Sequence, residues 1–560
     1  MKKGIFELYG LWRNATVNDP LLHGELSAIE GNESEIEDRF YQGLEFGTGG
    51  LRGVIGAGTN RMNVYTVARA TAGFSEYIKQ SFADSPSVVI SYDSRNFSLE
   101  FARVTAEVFA TRGIKVFIFD RLMPTPVCSY AIRALGASAG VMVTASHNPK
   151  IYNGYKAYGA DGCQINLDAA DRVLNEISAI TDYFSVERKP FDALLKSGMI
   201  CYVPEKIYGD FLSLSEKCSV SAVGAKKLKI VYTPLNGTGN IPVRELLKRR
   251  GFGNVTVVPE QEKPDGDFTT CPYPNPEERA ALQYALRLAE KLRADLVLAT
   301  DPDCDRVGIA APDRKGNFVL YTGNETAMLL LKYLLPQMKA AGKFPQRPVV
   351  IKTIVTAELC DDIAASYGAE ICNVLTGFKF IGEKIGLLEA CGELDRFVLG
   401  FEESYGYLAG AYVRDKDAVN ASMLIAEMTE YYRDLGKTMD EVLSDIYKEY
   451  GYYKSRLKNI AFKGSQGLRD MSAAMQKIRT APPVALGGLK VTAMKDYNDA
   501  IDGLPPSNVL AFYFEGGKVL CRPSGTEPKL KIYTMGKASD PAALESRLEA
   551  IESDIAGYFV

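Results

Sequence analysis

No apolar run in this chain approaches the length of a membrane span. The first fourteen residues carry two lysines, but Glu7 and Gly10 break their apolar stretches, so no secretory leader is expected there. Charge of one sign is also missing. Lys and Arg total 65 against 69 Asp and Glu, a formal net charge of -4 that offers no general pull toward nucleic acid or an anionic membrane. The ten cysteines contain no C-x-x-C pair and no zinc-like spacing, so reduced and mostly buried thiols are expected. A cytoplasmic protein is the resulting expectation.

Standard nucleotide signatures fail as well. Gly436-Lys437-Thr438 lacks the first glycine of a P-loop, since Tyr431 stands in its place, and no G-x-G-x-x-G follows a strand. Gly136-Ala137-Ser138-Ala139-Gly140 matches a hydrolase elbow in letters only. An elbow needs strand before serine and helix after, and the pattern here reads the other way round.

What is present is a globular composition, 46% hydrophobic and 24% charged, in a 560-residue chain long enough for about four domains. A strand, a polar break, an amphipathic helix and a second apolar strand follow one another from Ser87 to Asp120. The same order returns from Leu228 to Pro259 and from Pro348 to Leu375. After each unit a further strand should run into a polar loop, at Gly140 to Val143, Asp295 to Ala299 and Arg396 to Leu399. The last hundred residues read differently, as a hairpin around Glu515-Gly516-Gly517-Lys518, a strand and a helix from Pro541. The expected fold class is α/β: three similar tandem α/β domains with mixed sheets, at 1–205, 206–323 and 324–452, and a smaller α+β domain at 453–560, around a central cleft.

Four loops carry the chemistry. Thr144-Ala145-Ser146-His147-Asn148-Pro149 sets a serine at a strand end. On an extended chain Ser146 and His147 point apart, which speaks against a serine-hydrolase pair. Asp301-Pro302-Asp303-Cys304-Asp305-Arg306 puts three carboxylates at alternate positions, where an extended backbone turns them to one side. A hard divalent cation, Mg²⁺ or Ca²⁺, is their natural companion. An EF-hand is excluded, because Arg306 occupies the position needing glycine and Pro312 the one needing glutamate. The third loop, Gly400 to Tyr407, offers Glu402, Ser404 and aromatic faces suited to sugar hydroxyls. The fourth, Arg522 to Lys531, combines a guanidinium, hydroxyls, a glycine and two lysines, a clamp for a dianion.

A rival exists for the second loop. Asp303-Cys304-Asp305-Arg306-Val307 resembles the start of haloacid-dehalogenase phosphotransferases, in which the first aspartate is the nucleophile. A metal-dependent phosphatase and a non-catalytic sugar-phosphate binding protein both remain open on the residues alone.

The four loops in this order resemble the α-D-phosphohexomutase superfamily of phosphoglucomutases and phosphomannomutases, and the style of the chain is closest to the phosphoglucomutase-2/phosphopentomutase branch. The resemblance implies an intramolecular phosphotransferase acting on glucose 1-phosphate and glucose 6-phosphate, with mannose or pentose phosphates as alternatives. It implies Ser146 as a phosphoserine that is also a metal contact, with Asp301, Asp303 and Asp305 as Mg²⁺ ligands and His147 and Arg306 beside them. Gly47 to Gly53 resembles the family's opening loop with Arg52 near the phosphoserine, and Asn153-Gly154-Tyr155-Lys156 its segment with a catalytic lysine. Thr376 to Phe380 resembles the sugar-selecting loop, which brings in Gly377 and Lys379 beside Glu402 and Ser404. Arg522, Ser524, Gly525, Thr526 and Lys531 would hold the idle phosphate, and glucose 1,6-bisphosphate would be the intermediate. The chain departs from many phosphomannomutase-type members in having no histidine after the sugar loop, its two being His23 and His147. Lys156, with a lowered pKa, is therefore the expected general base.

Overall fold

The structure, a computed structural model, describes residues 2–47, 49–82, 84–222, 224–462, 467–523 and 529–559. They fall into two units: residues 1–320, 382–394 and 406–430 in the first, and 321–381, 395–405 and 431–560 in the second.

In the first unit, strand Ser87–Tyr92 is buried at every position after its first residue. That pattern belongs to a strand covered on both faces, and helices Ser98–Thr111 and Thr125–Ala134 pack against it, with Val64–Ser81 against the first of them. Helix Val64–Ser81 starts at a capping box, in which Asn63 and Thr66 satisfy each other's backbone N–H. It buries Val67, Ala70, Phe74 and Ile78 at helical spacing. The sheet is mixed. Ser87–Tyr92 pairs in parallel with Lys115–Ile118 and Ala139–Val143, whereas Tyr152–Gly159 runs antiparallel to Ala139–Val143 and to Gly50–Val54. Gly50 lies opposite Lys156 at φ +147°, and a Cβ there would fall 1.8 Å from the Tyr155 carbonyl oxygen. Only glycine lets these two strands meet, and they carry Arg52 and Lys156.

The second sheet repeats the plan. Leu296–Thr300 pairs in parallel with Ile230–Thr233, and an antiparallel strand, Val307–Pro312, returns directly from the acidic loop. Periodicity gave no sign of that return strand, because Val307–Pro312 is an unbroken apolar run without alternation.

Three helices, Lys2–Ala15, Pro20–Ala28 and Glu33–Phe40, form a small core of their own around Trp12. Its ring packs edge-on against Phe40, Tyr183 and Phe184.

In the second unit, Val349–Thr353 pairs in parallel with Glu370–Val374 and with Phe397–Glu402. This last strand extends past the expected end at Leu399, because Gly400 and Phe401 continue the pairing opposite Ile351 and Lys352. Glu402 therefore sits at a buried strand end rather than inside a loop. The C-terminal region is an antiparallel sheet in the order Tyr452–Ala461, Lys529–Ala538, Gly517–Pro523, Leu510–Phe514, Leu489–Asp496 and Ala485–Leu486. Helices Gly467–Thr480 and Pro541–Ala556 cover it.

Candidate active site

Strand ends of the first unit bring Ser146 and the acidic loop together. Ser146 is buried and sits at φ +51°, a left-handed turn directly after strand Ala139–Val143. Its Oγ donates to Asp301 Oδ2 at 2.7 Å. The turn is held from beneath. The Ser146 N–H donates to Thr144 Oγ1 at 2.8 Å, and Thr144 Oγ1 donates to Asp93 Oδ2 at 2.6 Å. Arg95, wholly buried, donates to the carbonyls of Ser146, Asn148, Pro149 and Tyr152 and lies 3.3 Å from Asp93. Asp93 and Arg95 stand beyond the end of strand Ser87–Tyr92, where such sheets place chemistry. That position was the available signal for these two residues, which motif reading passed over.

The left-handed turn overturns the extended-chain expectation for His147. Its Nδ1 lies 3.2 Å from Ser146 Oγ instead of pointing away. Burial, reinforced by Arg306 and Arg52, pushes the imidazole pKa well below its ordinary value, so the ring is neutral. A neutral ring can donate to Ser146 Oγ or accept from it, according to which ring nitrogen carries the proton.

Asp301, Asp303 and Asp305 are buried and offer oxygens all within 4.8 Å of one another. They converge through a turn at Cys304, φ +53°, and not through the extended backbone expected of alternate positions. Asp301 Oδ1 accepts the N–H groups of Asp305 and Arg306, at 3.1 and 3.0 Å, which closes the loop. Asp303 Oδ2 accepts from Thr125 Oγ1 and Lys156 Nζ, both at 2.7 Å. Asp305 Oδ2 lies 2.9 Å from Lys156 Nζ and 3.2 Å from Lys416 Nζ. Burial, with repulsion from Asp303 and Asp305, pushes Asp301 well above the usual carboxylate range. For Asp305 the attraction of Lys156 and Lys416 overcomes burial and holds the carboxyl below that range. The second oxygens of Asp303 and Asp305, buried, have no hydrogen-bond partner. Three crowded carboxylates with two such oxygens fit a hard divalent cation.

Lys156 corrects an expectation. Burial lowers its pKa, but Asp303 and Asp305 outweigh burial and raise it above the ordinary lysine value, so it carries its proton. A lowered pKa would need the carboxylates to be occupied elsewhere. Arg306 reaches Glu277 at 3.0 Å and lies 3.8 Å from Asp305. Arg52 donates to Asn148 Oδ1 at 3.3 Å, in the serine turn.

The second unit places the remaining residues. Ser404 Oγ donates to Glu402 Oε1 at 3.0 Å, and Thr353 Oγ1 donates to Glu403 Oε2 at 3.2 Å. Gly377, at φ +118°, precedes helix Phe378–Ala390, whose first turn holds Lys379. Arg522 and Lys531 are cross-strand partners, and their charges act on Glu403. Ser524, Gly525 and Thr526 lie outside the described residues, as does Thr48 of the opening loop.

Comparison with known proteins bears on this arrangement. Four consecutive family domains match: phosphoglucomutase/phosphomannomutase α/β/α domain I at 43–184, domain II at 208–316, domain III at 322–450 and the C-terminal domain at 459–553. The chain belongs to the phosphoglucomutase/phosphomannomutase family. Membership fixes the fold class as three α/β domains and a C-terminal domain. A phosphoglucomutase of Staphylococcus haemolyticus is 38% identical over 509 residues, 89% of this chain and 91% of that one. One from Staphylococcus aureus USA300 is 36% identical over 535 residues, 93% and 94% of the two chains. Among solved structures, a putative phosphomannomutase from Thermus thermophilus is 22% identical with a TM-score of 0.66, covering 92% of this chain and all of that one. The open form of parafusin, a phosphoglucomutase from Paramecium, is 18% identical with a TM-score of 0.67, covering 92% and 94%. The three N-terminal helices precede the first matched family domain. Among the described residues no helix is long and apolar enough to cross a membrane.

Proposed function

We propose that this phosphohexomutase is a phosphoglucomutase, interconverting glucose 1-phosphate and glucose 6-phosphate through a phosphoryl group carried on Ser146. The observation that supports this best is the 2.7 Å contact between Ser146 Oγ and Asp301 inside a buried three-carboxylate cluster. It puts the only hydroxyl of the serine turn's tip against a cation-type donor set. Staphylococcal relatives over most of the chain bear the same activity name.

Asp301, Asp303 and Asp305, with an oxygen on Ser146, would hold Mg²⁺, which when bound offsets the charge of a phosphoryl group and leaves its phosphorus open to attack. Arg52, beside the serine turn, and Arg306, beside Asp305, add fixed positive charge. The 6-hydroxyl of glucose 1-phosphate takes the phosphoryl group, the O–P bond to Ser146 breaks, and glucose 1,6-bisphosphate is the intermediate. Lys156, starting protonated on the same carboxylate cluster, is set up to supply the proton that Ser146 Oγ needs as it leaves and to be reprotonated by the proton the 6-hydroxyl gives up, so that one proton passes from the sugar to the serine in each transfer. The bisphosphate then returns its other phosphate to Ser146. Glu402, Ser404, Gly377 and Lys379 take the sugar, and Arg522 and Lys531, with Ser524, Gly525 and Thr526, take the idle phosphate. We assign the reaction to the cytoplasm, since all ten cysteines are free thiols.

Side-by-side assay on glucose 1-phosphate, mannose 1-phosphate and ribose 1-phosphate tests the substrate. The expected result is the highest kcat/KM on the glucose ester. A tenfold preference for mannose or ribose 1-phosphate would replace this assignment.

A further inference from the structure

The three aspartates of the acidic triplet are not held alike. Both oxygens of Asp301 are engaged, Oδ2 by Ser146 and Oδ1 by two backbone N–H groups of its own loop. Asp305 Oδ2 lies between Lys156 and Lys416. Asp303 shares Lys156 with Asp305, and it also meets Thr125, a residue with no part in the reaction above.

Thr125 opens helix Thr125–Ala134, between Pro124 and Pro126. The Val127 and Cys128 N–H groups donate to the Pro124 carbonyl, which closes the first turn. Inside a helix a threonine hydroxyl turns back to a carbonyl three or four residues earlier. At the first helical position no such turn precedes it, so the hydroxyl is free to point outward. Here it donates to Asp303 Oδ2 at 2.7 Å, while the Thr125 N–H, an open donor of the helix start, donates to the Asp303 carbonyl at 2.9 Å. One residue thus grips the backbone and the carboxylate of the same aspartate. Both residues are wholly buried, so bulk water does not compete for the contact.

The effect is on rotation. A carboxylate held by a lysine alone can turn about its Cβ–Cγ bond and keep the ammonium, a compact charge, against either oxygen or both. A hydroxyl has one proton and aims it at one point. With Oδ2 taken by Thr125 and Lys156, Asp303 Oδ1 stays buried without a hydrogen-bond partner. Leaving a buried carboxylate oxygen so costs free energy that a cation recovers.

We infer that, with the triplet taken as the Mg²⁺ site proposed above, Thr125 is a positioning residue for the metal: by fixing the plane of the Asp303 carboxylate it keeps one oxygen on the protein and leaves the other for Mg²⁺. A hydrogen bond of this kind behind a ligating group is worth about 10–100-fold in metal affinity or activity. Thr125 belongs to the domain that carries Ser146, and Asp303 to the next, so the contact also ties a metal ligand to the frame of the serine turn.

Melting temperature against Mg²⁺ concentration, measured on the full chain after chelation, tests this without turnover. Thr125→Val removes the hydroxyl and keeps the branched shape and the N–H, whereas Thr125→Ser keeps the hydroxyl. In the wild type Mg²⁺ should raise the melting temperature. The Mg²⁺ concentration giving a set rise should increase by about tenfold or more in Thr125→Val and return to within about threefold of wild type in Thr125→Ser. The Mg²⁺ concentration for half-maximal activity should shift in the same direction. Thr125→Ala removes the hydroxyl by a second route and gives the reading if Thr125→Val impairs folding. A lower metal-free melting temperature with wild-type Mg²⁺ dependence would show a residue that only packs, overturning the inference while the metal site stands. A Thr125→Ser variant that behaves like Thr125→Val would overturn it equally. A wild-type melt that ignores Mg²⁺ would remove the metal site itself, and this role of Thr125 with it.

Discussion

Ser146 gains its chemistry from its support. An exposed serine at a strand end would be an ordinary turn residue; this one is buried, left-handed, and braced by Thr144, Asp93 and the four carbonyl contacts of Arg95. Asp93 is pushed up by burial, and Arg95, Ser98 and Thr144 oppose that shift by stabilising the charged form. Glu403 shows the opposite balance. Burial first, and Glu402 second, push it from 4.5 up to about 7, against the pull of Lys531 and Arg522. Between those two values the folded chain holds a proton that the unfolded chain has released. The contribution of this carboxyl to stability is therefore fully present below pH 4.5 and is lost as pH rises toward 7. In Glu403→Gln the melting temperature should lose that part of its decline between pH 4.5 and 7. Parallel wild-type and variant curves across that interval would disprove the shift.

At the scale of elements, strands and helices in each repeated unit were readable because buried parallel strands are apolar runs and their helices keep a regular spacing. Helix Ser98–Thr111 and strands Lys115–Ile118, Ile230–Thr233 and Val349–Thr353 lie where periodicity puts them. The acidic triplet and the serine loop were legible from residue type. Their convergence came from the family resemblance and not from residue type, since it depends on positive-φ turns at Ser146 and Cys304, neither of them glycine, and on the return strand Val307–Pro312. Asp93 and Arg95 escaped for a related reason: a lone Asp-x-Arg after a strand has no distinctive pattern, and its meaning comes from the carbonyls it meets. Gly50 joins element to function. Gly50→Ala would press a methyl group into the Tyr155 carbonyl and separate the strands of Arg52 and Lys156. We expect kcat to fall by more than tenfold with the fold retained, read by steady-state kinetics beside circular dichroism. Wild-type kcat in Gly50→Ala would show that this strand pairing does not position the site.

Across the whole molecule the net charge is slight, and Asp301, Asp303 and Asp305 form a buried cluster of like charge that is partly offset by Lys156 and Lys416. A cation that binds the folded chain alone stabilises it by mass action, about 2.7 kcal/mol when present at 100 times its dissociation constant. Removing divalent ions with a chelator should therefore lower the melting temperature, and Mg²⁺ should restore it. In Asp303→Asn the restoration should be lost. A chelator-insensitive melt would mean that the lysines alone balance the carboxylates. The central claim, that Ser146 shuttles the phosphoryl group, is tested most directly by intact-mass measurement and peptide mapping of the purified full chain after exposure to glucose 1,6-bisphosphate. One added phosphoryl group on Ser146, discharged by glucose 1-phosphate and absent from Ser146→Ala, is the predicted result. A phosphoryl group mapped to Asp303, or full turnover in Ser146→Ala, would contradict it.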